Sequence, residues 1–99
     1  MHIIIWEYQV KPERQAEFEK IYAANGAWAE LFKRGTGFLG AELYRKADQP
    51  LSFLTIDRWI SKEEYGAFLS QWREEYKALD TQCEDLTESE SQIGEWDLV

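Results

Sequence analysis

The sequence predicts one α+β domain, in which two helical segments pack on one face of an antiparallel sheet. Segments rich in β-branched and aromatic residues alternate with segments of helical periodicity, in the order β, α, β, β, α, β. This order, with both helices on one face, is the ferredoxin-like arrangement. The length of 99 residues is that of a single domain, so residues 1–99 are assigned to it.

The first half of the chain predicts a strand followed by a helical segment. Ile3 to Val10 is the strand, and Pro12 suits the first turn of a helix, where its missing N–H costs nothing. The residues that then recur at helical spacing are Phe18, Ile21, Tyr22, Asn25, Trp28, Ala29 and Phe32. Asn25-Gly26 interrupts this segment, because Gly inside a helix costs about 1 kcal/mol relative to Ala. One continuous helix and two shorter helices that share a face both remain open.

The second half predicts two strands, a long helix and a last strand. Ser61 and Glu64 form a capping box, which marks the start of the helix. A bend in this helix is predicted near Asp80-Thr81. The predicted bounds are Phe38 to Arg45 and Leu51 to Ile60 for the two strands, Lys46 to Pro50 for the hairpin loop between them, Lys62 to Glu84 for the helix and Ser91 to Val99 for the last strand.

The predicted strands are apolar on both faces of the sheet. On the first strand, Ile3 and Ile5 point one way, whereas Ile4, Trp6, Tyr8 and Val10 point the other. Two helices can cover only one of these faces, and the remaining face would be a large apolar patch for a monomer. We therefore expect a homodimer that forms through the sheet face.

The net charge of −8 argues against a nucleic-acid partner, and the single cysteine argues for a reducing compartment. An acidic protein is repelled by phosphate backbones, so we expect no nucleic-acid partner. No segment reaches the roughly 20 apolar residues of a membrane span, and no signal peptide is recognisable. Cys83 is the only cysteine, which is typical of a reducing compartment. The sequence predicts a soluble, cytoplasmic protein.

Two segments carry a resemblance to the antibiotic biosynthesis monooxygenase family. They are Gly37 to Leu43 and Leu54 to Trp59, the second of which continues into Ser61, Tyr65 and Phe68. The run from Leu79 to Thr87 is similar to an uncharacterised bacterial branch of this family. The resemblance covers nearly the whole chain and implies a dimeric α+β barrel. It also implies oxidation of electron-rich aromatic compounds, such as phenolic polyketides or quinols, by dioxygen without metal or flavin.

The resemblance also bears on cofactors. Related barrels degrade haem through a histidine on the second helix, but Lys62 to Glu84 contains no histidine. Tyr8 stands where those haem-degrading relatives have an Asn. No zinc, P-loop or dinucleotide motif is present. We therefore expect no cofactor and no metal.

Aromatic and amide side chains are the candidates for binding a substrate. Trp59, where the haem-degrading relatives also have a Trp, is either a core aromatic or a pocket wall. Asn25 is either a helix-capping residue before Gly26 or a group that holds substrate or oxygen, as an Asn near a Trp does in oxygenase relatives. Tyr22 and Trp28 share the face of Asn25. The candidate substrate-binding residues are Trp28, Trp59, Tyr22 and Tyr8, and Asn25 is a candidate catalytic residue.

Asp57 is the candidate catalytic base. Asp57 and Arg58 lie on opposite faces of a strand, so one of them faces an apolar layer. A buried carboxylate would have a raised pKa and could accept a proton. The competing interpretation is an ion pair, either Asp57 with Arg45 or Arg58 with Glu42.

The remaining chemical side chains favour structural roles. His2 is the only histidine and is predicted to be exposed near the end of a strand. Cys83 is predicted to be a small core residue. The acidic run of Glu84, Asp85, Glu88 and Glu90 is predicted to be solvated.

Three functions remain open from the sequence. The first is a cofactor-independent monooxygenase that acts on a small aromatic or quinol-like substrate. The second is a non-catalytic module that binds a small apolar ligand in the same pocket, and the third is a purely structural dimer. A cavity with converging polar groups would favour the enzyme, whereas tightly packed Trp28, Trp59 and Trp72 would favour the structural dimer.

Overall fold

A computed structural model describes all 99 residues and confirms the ferredoxin-like α+β fold. Each of the two helical segments is divided into two helices, and two short 3₁₀ turns, Pro12–Arg14 and Glu84–Leu86, complete the chain. The strands are β1 (His2–Val10), β2 (Phe38–Lys46), β3 (Gln49–Trp59) and β4 (Thr87–Asp97). The helices are α1 (Gln15–Tyr22), α2 (Ala27–Phe32), α3 (Lys62–Gln71) and α4 (Arg73–Cys83). None of them has the length and apolarity that crossing a membrane would require.

The four strands form one open antiparallel sheet in the order β2-β3-β1-β4. Ile5 on β1 lies opposite Ile56 on β3, and Gly94 on β4 lies on the other side of Ile5. Lys46 pairs with Gln49, so the hairpin loop between β2 and β3 contains only two residues. The predicted loop, Lys46 to Pro50, was too long because polar residues at the strand ends still pair through their backbone.

The first helical segment consists of two helices, which answers the question left open by the sequence. Ala23 is extended, with a ψ of 163°, and ends α1. The N–H of Gly26 donates to the carbonyl oxygen of Ala23 at 2.8 Å. A Cβ atom at residue 26 would lie 2.3 Å from the carbonyl oxygen of Ile21. Only glycine fits this close approach, so Gly26 turns the chain before α2.

The second helical segment bends at Trp72, and the predicted bend near Asp80-Thr81 was wrong. Trp72 has φ −111° and ψ 29°, which separates α3 from α4. Its indole ring packs against the core and lies under the Arg34 guanidinium, 5.1 Å from ring centroid to Cζ. No Gly or Pro marks this position, so a tertiary contact decides where the helix bends.

The start of α3 is capped as predicted. Ser61 Oγ accepts a hydrogen bond from the Glu64 N–H at 3.2 Å, which confirms the predicted N-cap.

The last strand begins at Thr87, four residues before the predicted start at Ser91. Glu88, Ser89 and Glu90 have low β propensity, so no strand was predicted there. β4 is an edge strand, and its pairing with β1 supplies the backbone hydrogen bonds that stabilise it. Tyr8 lies opposite Glu90 in this pair.

The hydrophobic core lies between the helices and the inner face of the sheet. Cys83 is 3% exposed, which confirms its predicted place in the core. The buried core residues are Ile4, Tyr8, Val10, Phe18, Tyr22, Trp28, Leu31, Phe32, Phe53, Trp59, Phe68, Cys83 and Leu86.

The opposite face of the sheet has no helix over it, and we call it the outer face. Its apolar residues are Ile3, Ile5, Leu54, Ile56, Tyr44 and Trp96, of which Tyr44 and Trp96 are about half exposed.

Candidate functional site

A small aromatic cavity lies between the inner face of the sheet and helices α2 and α4. Its volume is about 40 Å³. Six aromatic side chains line it: Trp6, Tyr8, Tyr22, Trp28, Phe32 and Tyr76. The polar side chains at the cavity are Thr55, Asp57, Asp80 and Glu90. A benzene-sized ligand needs roughly 150 Å³, so a ring can enter only if a wall moves.

Alternation along the strands and the helical period bring these side chains together. Thr55 and Asp57 are two residues apart on β3 and therefore point to the same face of the sheet. Tyr76 and Asp80 are four residues apart on α4 and therefore share one side of the helix. Opposite Asp57 on β2 lies Ala41, whose small side chain leaves open space at the carboxyl group.

Asp57 lies in this cavity without a hydrogen-bond or ion-pair partner. Its burial raises the pKa from 3.8 to about 7. Arg58, on the opposite face, pairs with Glu42 through Nη2 and Oε1 at 3.0 Å. Of the two ion pairs considered from the sequence, Arg58 with Glu42 therefore forms, whereas Asp57 with Arg45 does not. A carboxyl group with a pKa of about 7 can both accept and donate a proton near neutral pH.

The three tyrosine side chains of the cavity stay neutral at physiological pH. The hydroxyl groups of Tyr8 and Thr55 form a hydrogen bond at 3.2 Å. Burial raises the pKa of Tyr8, Tyr22 and Tyr76 further above the usual value, so these phenols stay neutral. Asp57, rather than one of these tyrosines, is therefore the candidate base.

Trp28 forms an aromatic part of the cavity wall. The residue is 9% exposed, and its ring meets Tyr76 edge to face, with centroids 5.0 Å apart. Its indole N–H is buried without a hydrogen-bond partner, as are those of Trp59 and Trp72, which do not line the cavity. Trp28 therefore supplies ring surface to the cavity.

The structure brings four of the six candidate site residues to the cavity, namely Asp57, Tyr8, Tyr22 and Trp28. Asn25 is exposed in the turn before α2 and does not line it. Trp59 is 0% exposed and packs among core aromatics that include Phe32 and Phe68. Its placement is that of the core aromatic considered in the sequence analysis.

Several residues of the cavity were not predicted from the sequence. Tyr76 and Asp80 had a usable signal, because their spacing of four places Asp80 beside an aromatic of the predicted apolar stripe. Glu90 had none. It belongs to the acidic run of Glu84, Asp85, Glu88 and Glu90, whose predicted exposure is confirmed, and it borders the cavity from this exposed position. Partial desolvation there raises its pKa. Trp6 was recognised as a strand residue but not as a cavity wall.

The prediction that His2 is exposed was wrong. His2 is 2% exposed, and its Nδ1 and Nε2 atoms lie 2.6 Å from Asp97 Oδ1 and 2.7 Å from Glu95 Oε1. The extended β4 strand brings both carboxylates to it. His2 does not line the aromatic cavity. No three His, Cys, Asp or Glu side chains anywhere in the chain are grouped so that they could hold a metal ion.

Comparison with known structures finds the same fold in several bacterial proteins. A variant of SnoaB, a cofactor-independent oxygenase from Streptomyces nogalater, is 23% identical, with a TM-score of 0.80 over 98% of this chain and 91% of that chain. A candidate antibiotic biosynthesis monooxygenase from Bordetella bronchiseptica is 24% identical, with a TM-score of 0.71 and coverage of 99% and 96%. A third, from Nitrosomonas europaea, is 16% identical, with a TM-score of 0.74 and coverage of 100% and 99%. At these identities the likeness establishes the fold.

Sequence comparison identifies the family. Among proteins with curated descriptions, none matches this chain. The family model for antibiotic biosynthesis monooxygenases matches residues 1–80, which include β1 to β3, the first three helices and most of α4. Because this match covers most of the chain, the protein belongs to the antibiotic biosynthesis monooxygenase family.

Proposed function

We propose that this protein is a cofactor-independent monooxygenase that oxidises a small phenol or quinol, with Asp57 as the base. The observation that carries the proposal is an unpaired carboxyl group, with a pKa of about 7, in a cavity lined by aromatic side chains. A base is most effective when its pKa lies near the working pH. Membership of the family, and the structural likeness to the cofactor-independent oxygenase SnoaB, support the same reaction class.

The chemistry needs only the substrate, dioxygen and a base. The Asp57 carboxylate takes the phenolic proton, and the phenolate passes one electron to dioxygen. The resulting superoxide and phenoxyl radical combine at a ring carbon that carries hydrogen. The peroxide anion takes the proton back from Asp57, and the hydroperoxide loses water to give a quinone. One phenol and one dioxygen thus yield one quinone and one water, while the cavity keeps bulk water away from the radicals.

The cavity walls would hold the ring during this sequence. Trp28, Tyr8 and Tyr22 supply neutral aromatic surface for the ring. Asn25 and Trp59 are left out of the proposed site, because neither lines the cavity.

The non-catalytic alternatives receive less support from the cavity. A structural dimer would pack Trp28, Trp59 and Trp72 without a space between them, but Trp28 lines an opening. A simple carrier of apolar ligands would have no use for an unpaired carboxyl group, which is costly to bury.

We also propose that the protein functions as a homodimer through the outer face of the sheet, in the cytoplasm. Ile5 and Ile56 are adjacent on this face, and exposed Trp96 extends it onto β4. A second copy would remove this apolar surface from water. The proposed compartment is consistent with the single free thiol of Cys83.

Oxygen uptake with a panel of hydroquinones tests the proposed function. The rate should rise as the pH passes through about 7, because Asp57 loses its proton there. Asp57→Asn should lower the rate by at least about 100-fold, which is the lower end of the contribution of a general base. Asp48→Asn, which changes an exposed carboxylate in the β2–β3 turn, is the matched control and should leave the rate unchanged. Equal rates for Asp57→Asn and the unsubstituted protein would exclude Asp57 as the base.

A further inference from the structure

A second space adjoins the aromatic cavity on the far side of α4. It is a surface groove of about 540 Å³ between α3 and α4, which we call the α3–α4 groove. Its lining residues from α3 are Gly66, Leu69 and Ser70. Those from α4 are Arg73, Tyr76, Lys77 and Asp80. Tyr76 and Asp80 line both spaces, so these two side chains separate the groove from the cavity.

Tyr76 is the shared wall that would have to turn for the two spaces to join. Its side chain is half-buried, and its hydroxyl group has no hydrogen-bond partner within the protein. The contact with Trp28 is an edge-to-face ring contact, which is weak compared with a covalent or ionic restraint. A turn of this ring would join the cavity of about 40 Å³ to the groove of about 540 Å³. The combined space would exceed the roughly 150 Å³ that a benzene ring needs.

The two spaces differ in charge. The cavity is lined by the carboxyl groups of Asp57, Asp80 and Glu90 and by no cationic side chain. The groove contains two cations, Arg73 and Lys77, neither of which forms an ion pair, and one carboxylate, the shared Asp80. Their spacing of four residues places both on one side of α4. In a chain of net charge −8, this is a place where an anionic group next to the cavity would be attracted rather than repelled.

We propose that the α3–α4 groove is the second half of the ligand site and binds a carboxylate substituent of the aromatic substrate. The ring passes Tyr76 and lies in the cavity near Asp57, while Arg73 and Lys77 hold the carboxylate outside. This proposal rests on the proposed function for the role of the ring. The charges fix the orientation, because a carboxylate that entered first would meet three carboxyl groups.

Binding of two matched probes tests the groove separately from catalysis. The probes are 1-hydroxy-2-naphthoate and its methyl ester, measured by titration calorimetry at about 0.01 M and again at about 0.15 M ionic strength. The acid should bind about tenfold more tightly than the ester at the lower ionic strength, and the difference should shrink at the higher one. Tyr76→Ala should speed the association of both probes, because the moving wall is removed.

A pair of double variants with the same charge change supplies the control. Arg73→Gln with Lys77→Gln should remove most of the advantage of the acid and leave binding of the ester unchanged. Lys20→Gln with Lys46→Gln alters exposed lysines elsewhere and should leave the advantage intact. The groove proposal is overturned if acid and ester bind equally, if neither binds, or if both double variants lower acid binding alike. Oxygen uptake by the unsubstituted protein with a neutral hydroquinone tests the proposed reaction by itself. Oxygen uptake without any preference for the acid probe would therefore overturn the groove proposal and leave the proposed reaction standing.

Discussion

His2 and Asp97 form a hydrogen bond of 2.6 Å that joins the second residue of the chain to the third from its end. The second ring nitrogen of His2 lies 2.7 Å from Glu95, also on β4. A carboxylate only accepts hydrogen bonds, so contacts to carboxylates at both ring nitrogens favour the protonated, imidazolium form of His2. Burial alone would lower the pKa of His2, but the hydrogen bonds to Glu95 and Asp97 raise it above 6.5. These contacts fasten the carboxyl end of β4 to β1.

His2→Gln should therefore destabilise the protein by about 1–2 kcal/mol near pH 6, because charge-assisted hydrogen bonds to partly exposed carboxylates are lost. The raised pKa of His2 means that its contribution is complete below pH 6.5 and disappears as the pH rises through the folded-state pKa. The hydrogen bond from His2 also lowers the pKa of Glu95, so part of the contribution is lost again as the pH falls through that value. Urea unfolding at pH 4, 6 and 9 measures this. A difference between His2→Gln and the unsubstituted protein that does not change with pH would contradict the imidazolium.

Asp57→Asn should stabilise the protein at high pH, in contrast to most substitutions of buried polar groups. The native state holds the Asp57 proton more tightly than the unfolded chain does, because burial raises the pKa from 3.8 to about 7. The contribution of Asp57 is therefore most favourable below pH 3.8 and is lost as the pH rises through about 7. Asn removes this penalty, so the free energy of unfolding should increase by about 1–4 kcal/mol at pH 8 and change little at pH 4. Denaturant unfolding at both pH values measures it, and a loss of about 3–5 kcal/mol at pH 8 would indicate a hidden ion pair instead.

A charge placed in the centre of the outer face should disrupt the proposed homodimer. Ile56 lies between Ile5 on β1 and Glu42 on β2, on the face that carries no helix. Light scattering at micromolar concentration should give twice the monomer mass for the unsubstituted protein and the monomer mass for Ile56→Lys. Ala67→Lys adds the same charge on exposed α3 and should remain dimeric. A clean monomer without any substitution would refute the dimer.

Gly35→Ala should destabilise the protein by about 1–3 kcal/mol, because a new Cβ atom has no room. It would lie 2.8 Å from Cζ3 of Trp59 and 3.2 Å from Cβ of Phe68. Trp59 is fully buried among aromatic rings and cannot withdraw easily. Gly66→Ala is the control, since open space surrounds that position within α3, and it should stabilise by about 0.5–1 kcal/mol. Thermal unfolding of both variants measures the contrast, and equal effects would show that Trp59 can move.

Local patterns in the amino-acid sequence were sufficient to predict the fold class and most of the element order. Alternation marked β1 and β3, helical spacing marked the apolar sides of the helices, and the Ser61 capping box marked the start of α3. These are local signals, because each depends on residues close together in the chain. Local signals also brought Asp57, Tyr8, Tyr22 and Trp28 forward as candidates, since a carboxylate or aromatic on an apolar face is visible without tertiary information.

Features that depend on residues far apart in the chain became visible only in the folded molecule. β4 begins at Thr87 because β1 offers it a partner, and that longer strand carries Glu90 to the cavity and Asp97 to His2. The bend at Trp72 likewise follows from packing against the core below Arg34. Asn25 and Trp59 share sequence patterns with the cavity residues, but one is exposed in a turn and the other is sealed in the core. Pairing and packing energies come from neighbours in space, and a periodic pattern specifies which face is apolar but not which neighbour that face will meet.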